Sequence, residues 1–338
     1  MTEQTIIHLI DDTTPGGVMR VLGYISAHPD LTGTMHHEFR QIKRGSFSAP
    51  RLQADLIVSH LAISWRGLPF LMQLRALNAH TPMLHVEHSY TAGFVAHKVP
   101  SKLRFHTLLR TAFALFDKIA AVSAAQRDWL AARELVDPAR LELLRSAVDV
   151  MPLLRLPLVN HSPKVIGAIG RLDAQKGFDM LIRAFRACGR ADLRLEIFGD
   201  GAERAALEKL AGHDPRITFH GHCPDQVAIM GAVDLVAMPS RWEAYGLVGL
   251  EARAAGRGLL VSGVDGLADH LRDGAQQVDS TISGWRAALD ALDALDAGAV
   301  QQAPRARLRA MRTPEASIQA WGALIASMTA PQQTQIAA

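Results

Sequence analysis

VIGAIGRLDAQKGFDMLIRAFRACGRADLRLEIFGDG, residues 165–201, runs from an apolar strand-like segment through a glycine-flanked loop into a helical stretch, then into a second apolar segment closed by Gly-Asp-Gly. Strand, helix and strand joined by short turns form the repeating unit of a parallel α/β architecture. The alternation continues downstream through RITFHG (216–221), DLVAMP (234–239) and LLVSG (259–263), with helices starting at Ala202, near Gln226 and at Gly246. Upstream it is present in TIIHLI (5–10), ADLIVS (54–59), PMLHVE (82–87) and KIAAVS (118–123), with helices from Val18 and Ala124. Ser123-Ala-Ala-Gln126 has the form of a capping box, in which the two side chains satisfy early helix amides. Between the two series lies MPLLRLPLVNHSP (151–163), with three prolines and no period, which predicts a linker. The expected fold class is therefore α/β, with two Rossmann-like domains facing a cleft. Their expected limits are 1–155 and 162–312, with a helix from Pro314 to 330 packing Ile318, Trp321 and Leu324 back across the first domain. The Ala-Leu-Asp repeats at 287–296 predict one amphipathic helix.

Composition agrees with this architecture. At about 150 residues per domain, a chain of 338 residues predicts two domains. Hydrophobic residues at 49% and charged residues at 20% exclude a disordered or fibrous chain. Two cysteines, Cys188 and Cys223, are too few for a disulfide scaffold and lack metal-ligand spacing, which favours a reduced, cytoplasmic setting. The opening MTEQTIIHLIDDT has no cationic start followed by an apolar stretch, so no secretory signal is expected. No apolar run approaches the ~18 residues of a membrane span.

The net charge of +3 is carried by residues 1–150, and residues 151–338 balance. Between Asp55 and Asp117 the only acid is Glu87, set among Arg66, Arg75, Lys98, Lys102, Arg104 and Arg110. Such an excess favours an anionic ligand or surface. It is too dilute, and too poor in aromatics, for a nucleic-acid interface. HKVPSKLRFHTLLR (97–110), with Leu and Phe among cations, fits peripheral contact with the inner face of a membrane, and equally an ordinary helix on a sheet.

Three features carry chemistry. Pro15-Gly16-Gly17 and Gly199-Asp200-Gly201 follow strands, where glycine lets a backbone approach a phosphate or simply makes a tight turn. FGDGAER (198–204) resembles part of a dinucleotide fingerprint, but Arg204 replaces its third glycine and His220 and His222 stand where a ribose-binding acid belongs. In GRLDAQKG (170–177), Arg171 and Lys176 can converge on a diphosphate, the first as a fork and the second as a point charge, or remain solvated. In EAYGLVGLE (243–251), Gly246 opens a helix whose amides at Leu247 and Val248 can meet an anion. Glu243 and Glu251 can accept from hydroxyls, and Glu251 can also complement the helix dipole.

GRLDAQKG, FGDGAERAAL and PSRWEAYGLVGLEARAAG (239–256) together resemble the retaining GT-B glycosyltransferases of glycosyltransferase family 4. That family's pattern is a GR-x4-KG loop, a Gly-Asp-Gly turn and PS-x-x-E-x7-E in this order. PGGVMRVL (15–22), VEHS (86–89) and DKIAAVSAAQRDWL (117–130) extend the resemblance into the first half. It implies transfer of a sugar from a nucleotide-diphosphate donor to a hydroxyl of a lipid or saccharide acceptor, with retention of configuration. No cofactor beyond the donor is implied, with a UDP-sugar preferred over a GDP-sugar, and no metal, in keeping with the lack of any Asp-x-Asp triplet. By resemblance, Arg171 and Lys176 neutralise the diphosphate, Glu243 holds donor-sugar hydroxyls, and Glu251 holds the ribose. Gly201, Leu247 and Val248 belong to the donor-binding turns, and Gly17 approaches the reacting phosphate. His88, with His85 as the alternative, lies near the transferred sugar. Ser123 also has a family counterpart, but capping explains it.

Departures from the family are Met19 for an acid, Gly258 for Pro, Asp265 for Gly, Asp269 for Glu, and no small-apolar strand after Gly274. A nucleotide-sugar 2-epimerase of the same fold and a non-catalytic sugar-nucleotide-binding subunit are the rival readings.

Overall fold

The computed structural model describes residues 3–330, the side chains of 293–302 excepted. The chain divides into two compact units. One comprises the chain up to Ser89, Val99–Ser146 and the stretch from Glu315; the other comprises Tyr90–Lys98 and Ala147–Pro314.

The first unit is built on a six-stranded sheet of β1 (Gln4–Ile10), β2 (Met35–Gln41), β3 (Leu56–Ser59), β4 (Met83–Glu87), β5 (Lys118–Ala121) and β6 (Leu141–Leu143), in the order β2-β1-β3-β4-β5-β6. All neighbours are parallel. The central strands are buried along their length, as at Leu56, Ile57 and Val58, because helices cover both faces of such a sheet. MHHEFRQ, which forms β2, is absent from the expected strands. It is an edge strand in which only Met35 is buried, so it carries almost no apolar signal, and its pairing with all seven residues of β1 holds it. The capping box at Ser123 is present: Gln126 N donates to Ser123 Oγ at 3.2 Å, and the Gln126 amide oxygen accepts from Val122 N at 2.8 Å.

The second unit repeats the plan with β7 (Val165–Ile169), β8 (Arg194–Phe198), β9 (Ile217–Gly221), β10 (Leu235–Met238), β11 (Gly258–Val261) and β12 (Gln276–Gln277), in the order β12-β11-β10-β7-β8-β9. Its core joins Ile166, Leu181, Phe185, Leu195, Trp285 and Leu289. A two-residue strand, β12, does follow Gly274, although it is polar.

Three further expectations are corrected. The segment 151–163 is not a free linker: Leu153 is buried, Arg257 Nη1 donates to Pro157 O at 3.0 Å, and Arg307 Nη2 donates to Leu156 O at 2.8 Å. Two guanidinium groups thus satisfy the carbonyls of a proline-broken strap and fasten it to the second unit. The Ala-Leu-Asp repeats do not form one helix, because Ile282–Asp290 ends at Ala291 and a new helix, Leu292–Thr329, begins. Nor does Pro314 open a helix, since that last helix runs through both Pro304 and Pro314. Its final stretch packs in the first unit, with Ile318, Trp321 and Leu324 buried and Ser317 Oγ donating to Arg145 O at 2.7 Å.

The helix Ala92–Lys98 belongs to the second unit, although its neighbours in sequence belong to the first. Asp265 holds it: one carboxylate oxygen accepts from Thr91 Oγ1 at 2.6 Å and the other from Gly93 N at 3.0 Å. His97 stacks on Trp242 with ring centroids 5.6 Å apart. The departure from glycine at position 265 therefore has a structural use.

Candidate functional site

In both units the sequence-predicted residues, apart from His85 within β4, lie beyond the carboxyl ends of strands, where open parallel sheets bind ligands. In the second unit, Gly170 leaves β7 at φ +150°, and Gly177 closes the loop at φ +66° as the N-cap of the helix Phe178–Ala187. A Cβ at Gly177 would stand 2.2 Å from Pro239 O, so only glycine fits beneath the loop that follows β10. The two loops are stitched together by backbone and amide groups. Arg241 N donates to Gln175 O at 2.8 Å, Gln175 Nε2 to Trp242 O at 3.1 Å, and Arg241 Nη1 to Ala174 O at 2.7 Å. Arg241, which sequence reasoning passed over, also pairs with Asp179 at 2.9 Å and so clamps both loops to the helix.

This stitching brings Lys176 and Glu243 together. The Lys176 ammonium donates to the Glu243 carboxylate, and their side chains are only 15% and 11% exposed. Arg171 is not drawn in: its side chain is 74% exposed and lies near Asp173 at 3.5 Å and Gln175 at 3.4 Å. It is the solvent-exposed cation of the loop, and Lys176 is the paired, mostly buried one.

The turn after Glu243 is held from below. Gly246, at φ +86°, caps the helix Leu247–Ala254 with no side-chain cap, which leaves the early amides of Leu247 and Val248 without a side-chain acceptor. His270 Nε2 lies 3.0 Å from Tyr245 O and 3.1 Å from Gly246 O, and Arg253 Nη2 lies 3.1 Å from His270 Nδ1. Arginine can only donate, so His270 accepts at Nδ1 and donates from Nε2. Burial, then the Arg253 charge, pulls its pKa down to about 3, so it stays neutral. Arg253 is anchored in turn on Asp273 at 2.9 Å. Nothing in the spacing of these residues announced that brace.

Two expected site residues look different in place. Gly201 sits against the other loop, where a Cβ would meet Leu172 O at 2.5 Å, so packing between turns already requires glycine there. Glu251 is wholly buried, so a ribose reaches it only if neighbouring side chains move.

In the first unit, Gly17 opens the helix Gly17–Ala27 and is exposed. His88 follows β4 and is half-buried, with Nε2 2.9 Å from His60 Nδ1. His85 is 2% exposed, packed between Phe113 and Phe116 and facing Ser59 Oγ at 3.3 Å, so it is closed to ligand. Among the described residues no group of three or more His, Cys, Asp or Glu is placed to hold a metal ion.

Two six-stranded parallel sheets, with glycine-shaped loops and ionisable side chains at their carboxyl edges, define a doubly wound class of α/β protein whose ligand sites lie beyond the carboxyl ends of the strands. Within that class, residues 163–295 match the family described as glycosyl transferases group 1. The chain is 35% identical over 157 residues to 2-deoxystreptamine glucosyltransferase of Streptomyces kanamyceticus, covering 44% of this chain and 40% of that one. It is 32% identical over 186 residues to D-inositol 3-phosphate glycosyltransferase of Mycobacterium ulcerans, covering 48% and 39%. These matches thus span about two fifths of the length of each relative.

Among solved structures, Anabaena HepE in complex with UDP and glucose superposes with a TM-score of 0.75 at 16% identity, covering 96% of this chain and 100% of that one. Sucrose-phosphate synthase from Thermosynechococcus elongatus gives a TM-score of 0.75 at 19% identity, covering 96% and 99%. The fold is that of the GT-B glycosyltransferases, and it is within the second unit that residues match the group 1 glycosyltransferase family.

Proposed function

We propose that the protein is a retaining, metal-independent glycosyltransferase that moves a sugar from a nucleoside-diphosphate donor, a UDP-sugar in preference to a GDP-sugar, to an acceptor hydroxyl. The observation that carries this reading is the meeting of the GR-x4-KG loop and the Glu243 turn, Lys176 on Glu243, within the group 1 region. Charge grows on the leaving diphosphate as the glycosidic bond breaks. Lys176, Arg171 and the amides that open the helix Leu247–Ala254 supply positive charge to meet it. Two side-chain cations and a helix end offer the same electrostatic service as a divalent ion, which is the ground for metal independence. Glu243, once its ammonium partner turns to phosphate, is freed to accept from donor-sugar hydroxyls.

For the acceptor, the helix Lys102–Phe113 leaves Leu103 78% exposed, and Arg104 lies over the Trp65 ring at 5.5 Å. Apolar tips among cations support a lipid-linked acceptor at an anionic membrane surface. No helix among the described residues is long and apolar enough to cross a membrane.

Release of nucleotide from UDP-, GDP- and ADP-sugars, with and without a hydroxyl acceptor and in excess EDTA, tests the reading. Transfer that persists in EDTA supports it. Epimerised donor without an acceptor requirement, or activity restored only by magnesium or manganese, overturns it.

A further inference from the structure

Four histidines lie in a row across the first sheet, one from each of four adjacent strands or the residue following it. His37 is on β2, His8 on β1, His60 just after β3 and His88 just after β4, matching the strand order β2-β1-β3-β4. Their nitrogens meet in sequence: His37 Nδ1 to His8 Nε2 at 2.9 Å, His8 Nδ1 to His60 Nε2 at 3.0 Å, and His60 Nδ1 to His88 Nε2 at 2.9 Å. Successive ring centroids are 5.2, 5.3 and 5.1 Å apart, close to the ~4.8 Å spacing of neighbouring strands, so the sheet itself sets the row's repeat. His8 is wholly buried and His60 nearly so.

A neutral imidazole has one N–H and one lone pair. Three consecutive N–H···N bonds therefore leave only two neutral arrangements: every donor points toward His88, or every donor points toward His37. The far end decides between them. His37 Nε2 is buried with no hydrogen-bond partner among the described residues. If the donors pointed toward His37, that atom would carry a hydrogen with nothing to accept it. The opposite arrangement leaves only an unused lone pair there, and buried orphan donors are the rarer and costlier defect. The polarity therefore runs from His37 through His8 and His60 to His88, and the hydrogen of His88 sits on Nδ1, the nitrogen facing away from the row. An isolated neutral histidine favours the other tautomer, with hydrogen on Nε2. Burial keeps the row uncharged: it pulls His8 to about 3 and His88 to about 4, and takes His60 well below 6.5.

We propose that His37, His8 and His60 form a tautomer lock that holds His88 as an Nδ1–H donor, offered to an oxygen of the transferred sugar. The placing of the sugar at His88 rests on the glycosyltransferase reading; the lock itself does not. His60, His8 and His37 are positioning residues, and only His88 would touch ligand.

The test uses the full chain labelled with 15N-histidine at pH 7.5, read by long-range 1H–15N correlation and by couplings across the N–H···N bonds. The expected spectrum shows Nδ1 protonated and Nε2 bare in His8, His60 and His88, with couplings linking them. A wild-type His88 carrying its hydrogen on Nε2, or a row without couplings, overturns the proposal.

His60→Phe keeps an aromatic ring in the stack and removes both nitrogens. His88 is then expected to shift toward the Nε2–H form, with turnover lower by roughly tenfold and UDP affinity held within about twofold. An unchanged His88 tautomer in that variant also overturns the proposal. If His60→Phe fails to fold, the wild-type spectrum decides alone. If no donor sugar is transferred while His88 is Nδ1–H, the functional reading fails and the lock stands.

Discussion

Glu243→Gln should bind free UDP more tightly than the wild type while turning over more slowly. In the structure the Lys176 ammonium is committed to the Glu243 carboxylate, and the two side chains are 15% and 11% exposed. A diphosphate that takes Lys176 therefore competes with that carboxylate for the ammonium and meets its negative charge. Gln keeps a hydrogen bond to the ammonium but removes the attraction between opposite charges, which for a pair between the exposed and the fully buried extremes contributes about 0.5–2 kcal/mol. At 1.4 kcal/mol per factor of ten, UDP affinity should rise by roughly 2- to 30-fold.

The unliganded variant carries a cost in the other direction. A mostly buried ammonium left with a neutral partner lowers stability, so the melting temperature of Glu243→Gln should start below wild type and rise further with saturating UDP. Turnover should fall because the group proposed to hold the sugar hydroxyls has lost its charge. Titration calorimetry with UDP gives the affinity, and a thermal melt at several UDP concentrations gives the linkage. UDP affinity that is equal or weaker in the variant would show that Lys176 does not exchange Glu243 for phosphate, and the reasoning would fail.

Acid should weaken both units separately. His8 in the first and His270 in the second are held at about 3 against an ordinary 6.5, so the unfolded chain takes up protons first. Their contribution is complete above pH 6.5 and is lost as the pH falls toward about 3, amounting to about 2 kcal/mol for each at pH 5. Urea unfolding at pH 7.5 and pH 5 measures this, and equal stability at the two values contradicts it. Arg171→Ala should change stability by no more than about 0.5 kcal/mol, since the side chain is 74% exposed, yet lower turnover about 10²-fold. A stability loss with turnover preserved would make Arg171 structural. Gly177→Ala forces a Cβ to within 2.2 Å of Pro239 O and a side chain into left-handed backbone, so a loss above about 2 kcal/mol is expected in chemical denaturation.

Strands whose residues are buried on both faces were legible as unbroken apolar runs, and glycines at forced positive φ were legible from their place after those runs. Both signals are local. The edge strand at 35–41 was invisible because a strand exposed on one side need not be apolar, and its partner, β1, lies far away in sequence. The segment 151–163 read as a linker because its prolines interrupt any period; what holds it is Arg257 and Arg307, about a hundred residues or more downstream. Pro314 read as a helix start because proline favours the first turn. The turns on either side instead continue the helix, whose later part is fixed by buried Ile318, Trp321 and Leu324.

At the candidate site, residue types were legible and pairings were not. The motif named Lys176 and Glu243 without indicating that they meet, and it gave no warning that Glu251 is sealed off. The brace of Asp273, Arg253 and His270 and the row of four histidines carry no motif at all, since their members are spread over separate elements.

The two histidine devices have one physical logic. At His270, an arginine that can only donate forces the imidazole to accept on one nitrogen and donate from the other, which fixes two carbonyls of the Gly246 turn. In the row, a buried nitrogen with no hydrogen-bond partner among the described residues forces the same decision and passes it through three hydrogen bonds to His88. In each case burial removes the charged form, and one fixed neighbour then selects between the two neutral forms. A histidine that remained free to titrate near pH 6.5 would switch between donor and cation across the ordinary range of cellular pH. One held neutral with a chosen tautomer presents the same hydrogen throughout that range. In the proposed reaction that constancy suits a group that orients a neutral sugar, while the positive charge offered to a diphosphate stays with Arg171 and Lys176.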